Sequence, residues 1–98
     1  MENETQKTPD YEKVAFVLKT IGHPVRLQII EHISKNKKMS VSEICETLDL
    51  EQSLISHHLS NMKLKGILEC TKEGKNRYYH LALNEVLNVI SCMHKCKL

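Results

Sequence analysis

No run of apolar residues in this 98-residue sequence approaches the roughly 20 needed to cross a bilayer, so a membrane-spanning role is not expected. The first ten residues, MENETQKTPD, are acidic and polar where a secretory leader is basic and then apolar, which points to a cytoplasmic protein. Glycine is scarce, and the three present form no phosphate-cradling loop. The four cysteines contain no CxxC pair, so neither a zinc ribbon nor a dithiol motif is outlined, and in a reducing compartment a disulfide framework is not expected. No Ser, His and Asp follow one another in a context that would assemble a nucleophile with its base, so the sequence does not read as an enzyme. Tryptophan is absent and aromatics make up 4%, yet 41% hydrophobic and 27% charged residues are ordinary for a globular domain. Repeats, low-complexity tracts and linkers are also missing, so residues 1–98 read as one domain with a polar tail over 1–9. At that length the core is small, and a partner subunit would help to bury apolar surface.

A large net charge is lacking too, since the formal value is only +2. Its distribution says more. Between Asn61 and His80, Lys63, Lys65, Lys72, Lys75 and Arg77 face only Glu69 and Glu73, a local net charge of +3, while the first dozen residues are acidic. A basic patch of this size suits phosphate contact, and a dimer would double it.

The hydrophobic periods divide the chain into five helices and a hairpin. Tyr11, Val14, Ala15, Val17, Leu18 and Ile21 mark a first helix, with Pro9 near its start and Gly22 as its stop; their wide spread around the helix predicts packing on more than one neighbour. Val25, Leu27, Ile29, Ile30 and Ile33 form the buried side of a second, which leaves through Lys35 to Lys38, with Arg26 facing solvent or capping a neighbour. Ser40-Val41-Ser42-Glu43 has the spacing of a capping box and opens a short third helix to about Leu48. After the turn at Asp49-Leu50 comes a fourth, with Gly66 as its C-cap. Two helices joined by so short a turn make a helix-turn-helix. From Ile67 the period changes to two: Ile67 to Lys72 and Arg77 to Leu83 read as strands around a turn at Glu73-Gly74-Lys75-Asn76. Leu83, Val86, Leu87, Ile90 and Met93 define the last helix.

The fourth helix, within Glu51 to Gly66, is the most informative. Ile55, Leu59 and Met62 give it one apolar stripe. Turned away from the stripe are Gln52, Ser53, Ser56, His57, Ser60 and Lys63, short or planar hydrogen-bonding groups of the kind that reach base edges and phosphates in a major groove. A solvated face is the plainer reading of the same residues. The hairpin that follows directly is placed as a wing.

Three segments in order carry a family resemblance: Gly22-His23-Pro24-Val25-Arg26-Leu27, then Gln52-Ser53-Leu54-Ile55-Ser56-His57-His58-Leu59, then Glu73-Gly74-Lys75-Asn76-Arg77-Tyr78-Tyr79-His80-Leu81. Through them the chain resembles the ArsR/SmtB family of dimeric winged-helix repressors from about Tyr11 to the C-terminus. The resemblance implies an α+β, mainly helical winged helix-turn-helix fold, ordered as four helices, a hairpin wing and a fifth helix. It also implies a homodimer joined by the first and last helices. Such a dimer would bind double-stranded DNA at an inverted-repeat operator of its own operon, its two recognition helices roughly 34 Å apart. Release by an inducer would follow from a coupling of about 1 to 3 kcal/mol.

On this reading Gln52 is suited to adenine N6 and N7, and Ser53, Ser56, His57 and Ser60 to base edges or phosphates. Lys63 and Lys65 are expected at phosphates along the groove edge, and Lys75, Asn76 and Arg77 at the wing tip in sequence-independent contacts, unless they merely solubilise the turn. His58, nearer the core side, is expected to be structural. Glu51 stands where the family usually has Ser or Thr as N-cap.

The sensing site departs from the family's best-known patterns. Ser40 and Ser42 occupy the places of the third-helix Cys-Val-Cys pair, and serine is a poor ligand for soft metals. The region around Leu83 and Glu85 does not supply the last-helix D-x-H pattern. Cys92 and Cys96 remain, at i, i+4 on the last helix and so expected on one face. With the same pair from a second subunit they could hold zinc or cadmium, or form part of an arsenite site; they could also be a reversible thiol switch, or small hydrophobes in the dimer seam. Cys45 and Cys70 read as structural. A winged-helix protein-interaction or dimerisation module without inducer sensing is the competing function.

Overall fold

The computed structural model describes residues 8–96; residues 1–7 of the expected polar tail, and residues 97 and 98, lie outside the described residues. Five helices and a small sheet follow in the expected order: α1 (Tyr11–Ile21), α2 (Pro24–Asn36), β1 (Met39–Ser40), α3 (Val41–Leu48), α4 (Gln52–Leu64), β2 (Leu68–Glu73), β3 (Asn76–Leu81) and α5 (Glu85–Lys95). None of these helices is long and apolar enough to cross a membrane.

Local chemistry fixes most boundaries. The Asp10 side chain accepts from the Lys13 N–H and starts α1, while Pro24 opens α2, where its missing N–H costs nothing. At α3 the Ser40 hydroxyl accepts from the Glu43 N–H (3.2 Å) and the Glu43 carboxylate accepts from the Ser40 N–H (2.9 Å), so the capping box is complete. Asp49, in the left-handed conformation, then closes α3 and turns the chain into α4.

At the other end of α4, Gly66 takes φ +81°. Its N–H donates to the Lys63 carbonyl and that of Ile67 to the Met62 carbonyl, the two bonds of a Schellman motif. A residue with a Cβ would strain here. The chain passes straight from that motif into β2, and the Ala82 N–H returns to the Ile67 carbonyl (2.9 Å), so the foot of the wing is bonded to the end of α4.

The sheet is antiparallel in the order β1-β3-β2. Pairing of Glu73 with Asn76 leaves only Gly74 and Lys75 in the hairpin loop, and φ is positive at Gly74 but not at Lys75, as a type II′ turn requires. Strand β1 was not visible in the sequence: Met39 and Ser40 are extended only because they pair with Tyr79 and Tyr78. The core gathers Ile29, Ile30 and Ile33 from α2, Ile44 from α3, Ile55, Leu59 and Met62 from α4, and Val86 and Ile90 from α5.

Helix α1 is the exception to this packing. Ile21 is buried, but Tyr11 is 69% exposed, Val14 45%, Phe16 46% and Leu18 50%. The apolar spread that predicted several neighbours therefore finds few of them within one chain.

Candidate nucleic-acid interface

Helix α4 is rolled so that Ile55, His58, Leu59 and Met62 are buried while Gln52, Ser53, His57, Ser60 and Lys63 lie exposed, with Ser56 partly so. The polar residues singled out in the sequence thus share one outward face. That face is held by what lies beneath it, since α4 packs on α3 and on β2. Glu51 makes no side-chain cap, so the first-turn N–H groups of α4 have no side-chain acceptor from the N-cap residue.

His58 is the buried polar residue of this helix. Its Nδ1 accepts from Arg26 Nε at 3.0 Å, and Arg26 also donates through Nη1 to the Thr20 carbonyl at 2.9 Å, capping the end of α1. Burial, reinforced by the charge of Arg26 and by His23 and His57, holds the His58 imidazole below its ordinary range.

A cleft of about 660 Å³ separates the C-terminal half of α4 from the wing, lined by Ser60, Lys63, Leu64, Arg77 and Tyr79. It brings three expected contact residues, Ser60, Lys63 and Arg77, to one place. Leu64, missed in the sequence reading, stands 83% exposed beside them. An apolar residue on the face opposite the Ile55-Leu59-Met62 stripe was the available signal.

The wing concentrates positive charge. Lys72 lies directly opposite Arg77 across the ladder, with Lys75 in the loop between the strands. Among the described residues none of the three is paired with a carboxylate. Like charges placed opposite one another destabilise a sheet, and an anion between them relieves that cost. The acidic residues of the stretch are engaged elsewhere: Glu73 accepts from Lys38 Nζ at 2.6 Å, and Glu69 lies 3.9 Å from His80 Nδ1. The hydrogen bond to Glu73 raises the Lys38 ammonium above the usual lysine range against some loss of hydration, and the same ammonium sits 5.0 Å from the Tyr78 ring centroid. Lys38 therefore braces the wing from 35 residues upstream, a contact that only β1 pairing creates. Lys65 is turned to α1, its Nζ 5.7 Å from the Phe16 ring centroid.

Cys92 and Cys96 are both exposed. The helix ends before Cys96, whose backbone is extended (φ −89°, ψ 127°) while its N–H donates back to the Cys92 and Met93 carbonyls. Cys96 is thus the C-cap of α5: its amide still takes the helical bond to Cys92, and the chain leaves the helical path only after it. His94, between them, contacts Glu31 of α2 at 2.6 Å. Burial alone would raise the Glu31 carboxyl, but Lys35 and His94 outweigh it and hold the carboxyl below its ordinary range. No group of three or more His, Cys, Asp or Glu converges on a metal-sized space among the described residues. Cys45 and Cys70 pack, partly buried, against the core.

An apolar groove of about 300 Å³ runs between α1 and α5, lined chiefly by Val14, Val17, Leu18, Leu83, Val86 and Val89.

Known proteins share this arrangement. The family model described as "Bacterial regulatory protein, arsR family" matches residues 23–69, from the start of α2 into β2. A helix-turn-helix transcriptional regulator of Methanocaldococcus jannaschii, described as uncharacterized, is 38% identical over 80 residues, covering 82% of this chain and 90% of that protein. PagR, a transcriptional repressor of Bacillus anthracis, is 35% identical, and its crystal structure aligns with a TM-score of 0.79 over 85% of this chain and 94% of that one. HlyU from Vibrio cholerae aligns with a TM-score of 0.81 at 29% identity, over 91% of this chain and 96% of HlyU; it is named a transcriptional activator. The outward polar face of α4, the cationic wing behind it and these relatives lead to one conclusion: the chain belongs to the ArsR/SmtB family of winged-helix DNA-binding transcriptional regulators.

Proposed function

We propose that the protein, as a single-domain homodimer, represses its own operon by binding an inverted-repeat operator. Gln52, Ser53, Ser56, His57 and Ser60 read or position the major groove; Lys63, Lys75, Asn76 and Arg77 bind phosphate, and Lys65 joins them by swinging off the Phe16 ring. The observation that carries this reading is the α4 surface: five short or planar polar side chains on one outward face, fixed by a fully buried stripe beneath them. A bidentate contact from Gln52 to adenine discriminates against the wrong base by about 1 to 3 kcal/mol. Leu64 extends the surface with an apolar group suited to a thymine methyl.

Fluorescence anisotropy with a duplex from upstream of the chain's own gene tests the assignment. Gln52→Ala and His57→Ala are each expected to weaken sequence-selective binding roughly tenfold or more while leaving non-specific binding in place. Lys75→Ala and Arg77→Ala are expected to weaken binding to all sequences and to lower the salt slope by about one each. No binding of the duplex by the wild type in moderate salt would favour the protein-interaction module instead, whereas undiminished selectivity in both α4 variants would place the reading residues elsewhere.

Release by inducer is assigned to Cys92 and Cys96, through a soft metal or metalloid such as zinc, cadmium or arsenite, or through oxidation. What supports it is that both thiols are exposed, at the end of the helix that carries half of the apolar groove. Two thiolates do not complete a soft-metal site, so a bound ion needs further ligands, and the second subunit is their natural source. Replacing both by Ser is expected to abolish induction of a reporter by metals, arsenite and sulfide; an unchanged response to all three rejects the assignment.

A further inference from the structure

Three helices meet at Arg26. Its Nη1 donates to the Thr20 carbonyl in the last turn of α1, and its Nε donates to Nδ1 of His58, which faces inward from α4. Thr20 and His58 are both buried, at 4% and 5% exposure, so neither acceptor can exchange Arg26 for water without moving. Helix α1 carries the exposed apolar face and α4 the outward polar face, and this one guanidinium bonds to both.

The bond also specifies a protonation state. A guanidinium only donates, so His58 Nδ1 must present its lone pair, and the ring is the neutral Nε2–H tautomer. His23 is bound by the same rule: its Nδ1 accepts from the Val25 N–H at 3.2 Å and so caps α2. The His23 ring lies 4.6 Å from that of His58 by centroid, and His57 lies 5.6 Å away on the other side. The groups that bear on His58 are thus Arg26 and His23 from α2 and its N-cap, and His57 from α4, with no carboxylate among them. A proton on His58 Nδ1 would set donor against donor at 3.0 Å, beside a fixed positive charge.

We propose that Arg26 is a positioning residue for DNA recognition, clamping α4 to the end of α1 through neutral His58, and that a proton on His58 opens the clamp. The inference rests on α4 being the DNA-reading helix. Its sign follows from the depressed imidazole. The clamp is complete above the ordinary histidine value of about 6.5 and is lost as pH falls below it toward the lowered native value. Mild acid therefore loosens α4, whereas protonation of exposed basic groups alone would strengthen binding to an anion.

The test compares the full-length wild type with His58→Gln, whose amide oxygen accepts from Arg26 but does not titrate; His23 and His57 are present in both. Hydrogen exchange of α4 amides, corrected for intrinsic rates, and anisotropy with the upstream duplex are measured from pH 7.5 to 5.5. In the wild type both protection and affinity are expected to fall roughly fivefold relative to His58→Gln. Arg26→Ala is expected to show lowered α4 protection already at pH 7.5 and no further fall; Arg26→Lys, unable to donate to both acceptors in this geometry, should rescue it only in part. Parallel profiles for wild type and His58→Gln in hydrogen exchange overturn the clamp, even if Arg26→Ala does not fold. Diverging exchange with no binding of the duplex by either protein upholds the clamp and removes the DNA-reading role of α4 instead.

Discussion

Val14→Asp combined with Leu18→Asp is expected to give a folded monomer that no longer selects its operator. Both side chains line the groove between α1 and α5, and they are 45% and 50% exposed within the single chain. They therefore contribute little to the fold of one subunit but would sit, as paired carboxylates, in the seam of the proposed dimer, where burying unpaired charge is strongly unfavourable. Loss of the second half-site removes half of the contacts and the register between them, so affinity should fall by about three orders of magnitude, to the level of non-specific binding. Analytical ultracentrifugation, circular dichroism and anisotropy together check the result. A variant that stays dimeric, or a monomer that retains full selectivity, would place the dimer seam or the reading unit elsewhere.

Leu59→Ala is expected to act in the opposite order, on the fold first and on binding only through it. Leu59 is fully buried beneath the outward face of α4, between His58 and Ser60. Truncating a buried leucine costs about 2 to 5 kcal/mol, depending on how far the cavity collapses. Domains of this kind have about 5 to 15 kcal/mol in total, so a large part of the protein's margin would go. Urea titration should show a lower midpoint with an unchanged slope. If the midpoint fell while operator affinity at low temperature held, α4 would have kept its seat; if both fell together, the outward face depends on the stripe below it.

The parts of the fold legible in the sequence were those decided by neighbours in the chain. The α3 capping box, the glycine at the end of α4 and the turn between the wing strands each depend on residues within a few positions of one another. The roll of α4 was legible as well, because a stripe of Ile55, Leu59 and Met62 allows one orientation on a core. What was hidden depends on distant partners. Two residues make β1 a strand only through β3, and Lys38 meets Glu73 only because of that pairing. Arg26 was left between solvent and capping, and nothing in its own segment announced His58, 32 positions later. The end of α5 was not marked in the sequence either: no glycine follows Lys95, and Cys96 serves as the C-cap. Helix α1 shows the remaining limit: an apolar pattern states that a surface is to be covered, not whether the cover belongs to the same chain.

The Schellman turn at Gly66 has a mechanical consequence. Its two backbone bonds, with the return from Ala82 to Ile67, weld the end of α4 to the foot of the wing and leave no hinge between them. The two cannot slide independently along a duplex. In the proposed dimer, any mismatch in the spacing of half-sites must therefore be absorbed by a shift at the subunit seam or by the DNA itself, as bend or twist. Changing the step length between half-sites by one base pair should be tolerated according to how deformable the intervening sequence is, even at positions that no side chain touches.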